Sequence, residues 1–326
     1  MRSLQRRQFL CMAAGACVLP AMSEAANAEV YPSRPVRLLV GFAPGGGTDV
    51  MTRLLQPALS EGLGQQIVIE NRPGAGTNIA TEAVLNAVPD GYTLLAASLA
   101  NAGNATLYGD LKFNFLRDST PVAGIALDPF VLEVSPSLPV NTVPELIAYA
   151  KAHPGKVNMG SGGVGSGNQL TGEMFKMMAG IDLVHVPYRG AGPAMVDLMG
   201  GQVQVMFNTM SASLQHVRSG KLRALGVATK NRQPALPDVP TVAEFVPGYE
   251  ANFWTGIAGP KGMPPEIVDK LNKTVNAGLD DPQVKARLAE WGATALAGSP
   301  VDFAKFVADE TDKWGKVIRA ANIKAE

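Results

Sequence analysis

The groups best placed for chemistry in this chain are backbone amides, in loops rich in glycine and hydroxyl side chains. Ala43-Pro44-Gly45-Gly46-Gly47 follows the apolar run Leu38, Leu39, Val40 and Phe42. Thr48 or Asp49 then opens a helical pattern carrying Met51, Leu54, Leu55, Ala58 and Leu59. The first turn of a helix has amides without partners and the positive end of the dipole, and glycines let an anion reach them. A second loop of this kind, Gly160-Ser161-Gly162-Gly163-Val164-Gly165-Ser166-Gly167, precedes a helix from Asn168. Two such helix starts suit a carboxylate, with Thr48, Thr77, Ser98 and Ser166 as adjustable donors and Asn208 as an amide at the end of a later strand. Such a site needs no lysine or arginine and avoids the desolvation cost of burying one. Any one of these hydroxyls alone is ordinary turn chemistry; the repetition of the loop points to a ligand.

Other chemistries fit less well. Gly160-x-Gly162-x-x-Gly165 with Asp182 has the outline of a dinucleotide fingerprint, but Gly163, Ser166 and Gly167 crowd the loop beyond what it needs. No Gly-Lys-Ser/Thr follows a glycine turn, and no serine is flanked as G-x-S-x-G. His153, His185 and His216 are far apart and lack zinc spacing, so neither metal nor cofactor is expected. No nucleophile stands beside an activator. An exported hydrolase or dehydrogenase that uses the glycine loops is the rival reading. Asp49, the acid of the opening loop, would repel a carboxylate; it is expected to cap the helix amides beside Thr48.

Stepping outward, residues 1–28 have the form of a removable export signal. Arg2, Arg6 and Arg7 precede an apolar core from Phe9 to Leu19 and an A-x-A site at Ala26-Asn27-Ala28. Arg6-Arg7-Gln8-Phe9-Leu10 also fits the twin-arginine pattern. Both cysteines, Cys11 and Cys17, would leave with the signal, and the remaining chain would carry a net charge of −2. A near-neutral balance gives no reason to expect nucleic acid or an anionic membrane as partner. A composition of 46% hydrophobic and 17% charged residues is that of a globular protein, here expected to be a periplasmic monomer.

The fold class is α/β. Strands, glycine turns and helices alternate through Gln66–Glu70, Ile79–Val88 and Thr93–Ala97, and again from Lys156 to Thr229. This order implies two mostly parallel sheets flanked by helices, with a ligand cleft between them at the strand ends. Asn231 to Pro247 reads as a connecting segment, and helices at Pro264–Leu279, Pro282–Trp291 and Pro300–Ala320 return to the first lobe. Lobe 1 is expected to comprise 29–130 and 250–326, and lobe 2 131–249. Crossings near Phe130–Val134 and Tyr249–Phe253 would form a hinge.

Over nearly the whole expected mature chain the sequence resembles the Bug receptors, extracytoplasmic solute-binding proteins of tripartite tricarboxylate transporters. The likeness is carried by Tyr31-Pro32-Ser33-Arg34-Pro35, Gly41-Phe42-Ala43-Pro44-Gly45-Gly46-Gly47-Thr48-Asp49, Glu70-Asn71-Arg72-Pro73-Gly74-Ala75-Gly76 and Pro89-Asp90-Gly91-Tyr92-Thr93-Leu94. Further on come Gly165-Ser166, His185-Val186-Pro187-Tyr188-Arg189-Gly190, Gly220-Lys221-Leu222-Arg223-Ala224-Leu225 and Pro237-Asp238-Val239-Pro240-Thr241. The resemblance implies a type II periplasmic binding fold that clamps a carboxylate, partly through ordered water, and delivers it to membrane subunits; a sensor kinase is a second partner class it leaves open. It places Phe42, Ala43, Gly45, Gly46, Thr48, Gly165 and Ser166 at the ligand. Gln169 stands where the family usually has histidine, Thr77 where glycine is common, Asn104-Ala105 for Asn-Pro, and Asn208 where aspartate is frequent.

Overall fold

The computed structural model describes residues 30–325; the export signal expected at 1–28 lies outside them. The elements begin with β1 (Val36–Val40), α1 (Gly47–Leu63), β2 (Ile67–Asn71), α2 (Asn78–Leu85), β3 (Thr93–Ser98), α3 (Leu99–Leu107), α4 (Phe115–Asp118) and β4 (Ser119–Val134). They continue through α5 (Val143–Ala152), β5 (Asn158–Ser161), α6 (Gly167–Ala179), β6 (Val184–Pro187), α7 (Ala191–Met199), β7 (Val205–Thr209), α8 (Met210–Arg218) and β8 (Arg223–Val227). Last come β9 (Asn252–Pro260), α9 (Pro265–Asp280), α10 (Pro282–Glu290), β10 (Thr294–Ala295) and α11 (Pro300–Ala320).

The strands form two α/β lobes that share β4. In lobe 1 the order is β2-β1-β3-β9-β4, with β10 on the far side of β4; in lobe 2 it is β6-β5-β7-β4-β8. The outer strands are parallel as expected: β1 with β2 and β3, β5 with β6 and β7. Where the lobes join, β9 and β4 run antiparallel to their neighbours, so each sheet is mixed. Val36, Leu38, Leu39 and Val40 are all buried, as a strand covered on both faces requires.

Asp128-Pro129 lies inside a single 16-residue strand, β4. Ser119 to Pro129 pairs with β9; from Phe130 onward the same strand pairs with β7 and β8. Pro129 sits where β4 exchanges partners, a place that tolerates a residue without a ladder donor. Ala251 returns the chain beside it, its amide bonded to Ala228 O at 2.9 Å.

One core cluster runs through the junction, joining Leu39 and Leu95 of lobe 1 to Phe130, Phe175, Phe207 and Tyr249. Trp254, Phe303, Val307, Trp314 and Ile318 extend it, the last four from the buried face of α11. A reciprocal cap between Ser299 and Asp302, with Pro300 in the first turn, starts that helix. Two acids on β4, Asp128 and Glu133, are fully buried under α8. Asp128 accepts from the Ser211 amide at 3.3 Å and its hydroxyl at 2.5 Å, completing the start of α8. Burial raises Asp128 to about 7 and Glu133 to about 8.

Candidate functional site

Helix starts from both lobes meet at one point. α1 begins after Gly46, which has no side chain to occupy the amides of Gly47 and Thr48. Facing it, α6 begins after Ser166 and α7 after Gly190. Glycine permits the approach: a Cβ on Gly47 would lie 2.7 Å from Thr209 Cγ2, and one on Gly167 3.2 Å from the Phe253 ring. Between them lies an inner chamber of about 20 Å³, lined by Phe42, Gly46, Thr48, Asn168, Thr209 and their neighbours and by no ionisable side chain. Its size is about that of one water.

Phe42 also lines a much larger outer chamber of about 1000 Å³ that opens to solvent. Lobe 1 contributes residues 73–77, Ile79 and Tyr108 to its wall; lobe 2 contributes 162–164, 187–189 and Pro193. The lobes touch across it. Ala43 N–H donates to Arg189 O at 2.9 Å, and the Tyr108 hydroxyl reaches Val164 O at 3.4 Å.

The residues singled out by sequence divide accordingly. Phe42, Gly46 and Thr48 line the inner chamber and Thr77 the outer one. Ser166 caps α6 by accepting from Gln169 N–H at 3.4 Å. The amides of Ala43, Gly45 and Gly165 are already bonded, to Arg189 O, Asp49 Oδ2 and Gln169 Oε1. Ala43, Gly45, Gly165 and Ser166 line neither chamber, and the same holds for Ser98 and Asn208. Ser98 is buried at the start of α3 with its amide on Asn101 Oδ1, and Asn208 Oδ1 accepts from Thr209 N–H. Thr77 is a β-branched residue at φ 81°, a conformation that glycine takes without strain. Gly41 makes room for it, since a Cβ there would lie 2.6 Å from Thr77 Cβ.

Asp49 differs from its expected role as a cap on the helical amides. Its carboxylate turns back, accepting from Gly45 N–H at 3.0 Å, Arg53 Nε at 3.0 Å and Asn71 Nδ2 at 2.9 Å. Asn71 Nδ2 also bonds Phe42 O at 3.0 Å. Asp49 therefore ties the glycine loop to α1 and to the end of β2. Burial alone would raise its pKa, and the bonds from Arg53, Asn71 and Gly45 outweigh that and hold it below the ordinary range.

The structure brings together one pair that the sequence did not. Parallel β5 and β6 place Ser161 Oγ 2.6 Å from His185 Nε2, the spacing of a nucleophile and its base. The surrounding bonds assign it another role. Gly165 N–H needs an acceptor, which fixes Gln169 Oε1 toward it at 2.7 Å and leaves Gln169 Nε2 to donate to His185 Nδ1 at 3.3 Å. His185 must then carry its proton on Nε2 and donate to Ser161, so that nitrogen cannot take the serine proton. Burial, then the Lys176 charge, lower His185 to about 4 and keep it neutral. Ser161 Oγ also bonds both polar groups of the Gly163 backbone. Together Ser161, His185 and Gln169 brace the second glycine loop. Asp182, considered for a ribose, is exposed and near Lys176, away from that loop.

Among the chamber residues not singled out are Tyr108, Arg189, Thr209 and Phe253. Thr209 stands where the end of a strand meets a helix, a position like that of Ser166, and was open to the same reasoning. The other three become visible only when the lobes are placed together.

Residues 51–323 match the family model described as "Tripartite tricarboxylate transporter family receptor". Protein BugT of Bordetella pertussis is 39% identical over 301 residues, covering 91% of this chain and 92% of the relative. A solved structure of R. palustris Rpa4515 with adipate superposes with a TM-score of 0.87 at 39% identity, covering 90% of this chain and 99% of that one. MatC from Rhodopseudomonas palustris with bound malate superposes with a TM-score of 0.84 at 35% identity, covering 88% and 100%. With its two-lobed fold and a match over most of its length, the chain belongs to the tripartite tricarboxylate transporter receptor family.

Proposed function

We propose that this protein captures a small carboxylate outside the cytoplasm and presents it to the membrane subunits of a tripartite transporter, without turning it over. The carrying observation is the meeting of α1, α6 and α7 starts, from both lobes, around an inner chamber with no ionisable wall. A carboxylate there would accept from the free amides near Gly46, Thr48 and Asn168, and from the Ser166 and Thr48 hydroxyls. Contacts to two lobes favour the closed state and so couple binding to closure. Phe42 would pack on the ligand's body. Thr77, at the outer wall, and the loops of Ala43, Gly45 and Gly165 shape the site more than they donate to it.

The lobes are taken to move as 29–130 with 250–326, and 131–249, about the two crossings at β4 and Ala251. Export by the twin-arginine route, monomeric state and use by a sensor kinase extend the same reading. Adipate in Rpa4515 and malate in MatC support carboxylates as the class to test. A thermal-shift panel of dicarboxylates, tricarboxylates, acidic amino acids and aromatic carboxylates tests it. The expected result is stabilisation by a few of them, with each recovered unchanged. Hydrolysis or oxidation of a stabilising compound would favour the exported-enzyme reading, and no stabilisation by any member would remove the carboxylate.

A further inference from the structure

We infer that Arg189 reads a second anionic group on the ligand, so that the protein selects dianions with an apolar spacer over monoanions of equal length. This rests on the reading that the inner chamber takes a carboxylate head.

The two chambers set the ligand's shape. An inner space of about 20 Å³ admits a head group and little else, so the body must pass Phe42, which lines both chambers, into the outer one. There Ile79, Val164, Pro193 and the Tyr108 ring supply much of the wall. An apolar spacer would cover these side chains and gain from the area removed from water, a gain that a hydroxyl or ammonium in mid-chain would forgo. The spacer should therefore be apolar.

Charge sets the far end. Arg189 is the sole ionisable cation or carboxylate side chain among the described residues lining the outer chamber. Its guanidinium is exposed and makes no ion pair or side-chain hydrogen bond with the described residues. Asp197, on α7, is engaged by the Tyr188 hydroxyl at 2.6 Å. Because Arg189 O accepts from Ala43 N–H at 2.9 Å, this arginine is fixed at the mouth when the lobes meet. Its interaction with a ligand is thus one that the closed state makes and the open state lacks.

The test is calorimetry at pH 7 with matched pairs: succinate and butyrate, adipate and hexanoate, suberate and octanoate. Each pair is titrated into the wild type, Arg189→Gln and Arg189→Lys. The wild type should prefer the dianion of at least one pair. Arg189→Gln should lower that preference roughly two- to fivefold, the range for an exposed ion pair. Arg189→Lys should keep most of it, and the preference should shrink as salt is raised. Monoanions bound as well as dianions in the wild type, a ratio unmoved by Arg189→Gln, or equal weakening of both members would overturn the inference while leaving the carboxylate reading intact. If no member of any pair binds, the inference falls, and the wider thermal-shift panel decides the carboxylate reading separately.

Discussion

The substitution Gly192→Ala separates closure from folding. Gly192 is the second residue of α7, with ordinary helical backbone and no left-handed φ. In lobe 2 alone an alanine there should be neutral or favourable, since alanine is the better helix former by up to about 1 kcal/mol. Across the cleft the result differs. The new Cβ would overlap the Pro44 carbonyl oxygen, 3.3 Å from Pro44 C and 3.5 Å from Gly45 Cα. These are backbone atoms of the opening loop, which Asp49 and Asn71 hold in place, so they cannot rotate away as a side chain could. Overpacking of this kind costs about 1–3 kcal/mol. That cost falls on the closed state and so weakens the ligand by roughly five- to a hundredfold. Calorimetry with the best compound of the panel reads the affinity, and a melting curve without ligand reads the fold. Gly200→Ala, at the other end of α7 with its nearest Cβ contact at 3.5 Å, is the control and should bind like the wild type. If Gly192→Ala binds within twofold of the wild type with an undiminished melting temperature, the opening loop does not close on α7.

Three further substitutions test particular roles. Ser166→Ala should lose a cap worth about 1 kcal/mol of stability and, with one bond to a charged group gone, roughly ten- to a hundredfold in affinity. Affinity within a factor of two would take Ser166 out of the site. Asp49→Asn should lower the melting temperature, because an amide cannot accept from Gly45, Arg53 and Asn71 together; the expected cost is about 1.5–3 kcal/mol, and an unchanged melting curve would refute the brace. Glu133→Gln addresses pH. Folded Glu133 keeps its proton to about pH 8 while the unfolded chain releases it near the ordinary glutamate value of 4.5. The contribution is therefore full below that range and is lost as pH rises to 8. Asp128, raised to about 7, acts in the same direction, and His185, lowered to about 4, costs stability as pH falls from 6.5. Urea unfolding at pH 5 and 8 should show Glu133→Gln gaining on the wild type at the higher pH, on the order of a few kcal/mol. Parallel pH profiles would remove the buried proton from the account.

The glycine loops and helix starts were legible because they are local: a run of apolar residues, glycines, then helical periodicity. What was missed depends on contacts far along the chain. α3 carries Asn101, Gly103 and Asn104, poor helix formers, and is begun by Ser98 and packed under α11. α8 begins with Asp128, 83 residues away, bonded to Ser211. Asp49 looked like a cap because it stands near a helix start, and only the third dimension shows Asn71 and Arg53 around its carboxylate. Ser161 and His185 meet through the register of β5 on β6, which no local pattern reveals. Arg189 and Tyr108 become site residues only when two lobes close.

The most direct test is a crystal structure of the complex with the compound that gives the largest thermal shift. One carboxylate of the ligand should sit between α1 and α6. Its oxygens should lie about 2.7–3.1 Å from amides or hydroxyls of both lobes, near Gly46 or Thr48 on one side and Ser166 or Asn168 on the other. A ligand carboxylate bonded to one lobe alone, or seated away from both helix starts, would contradict the account.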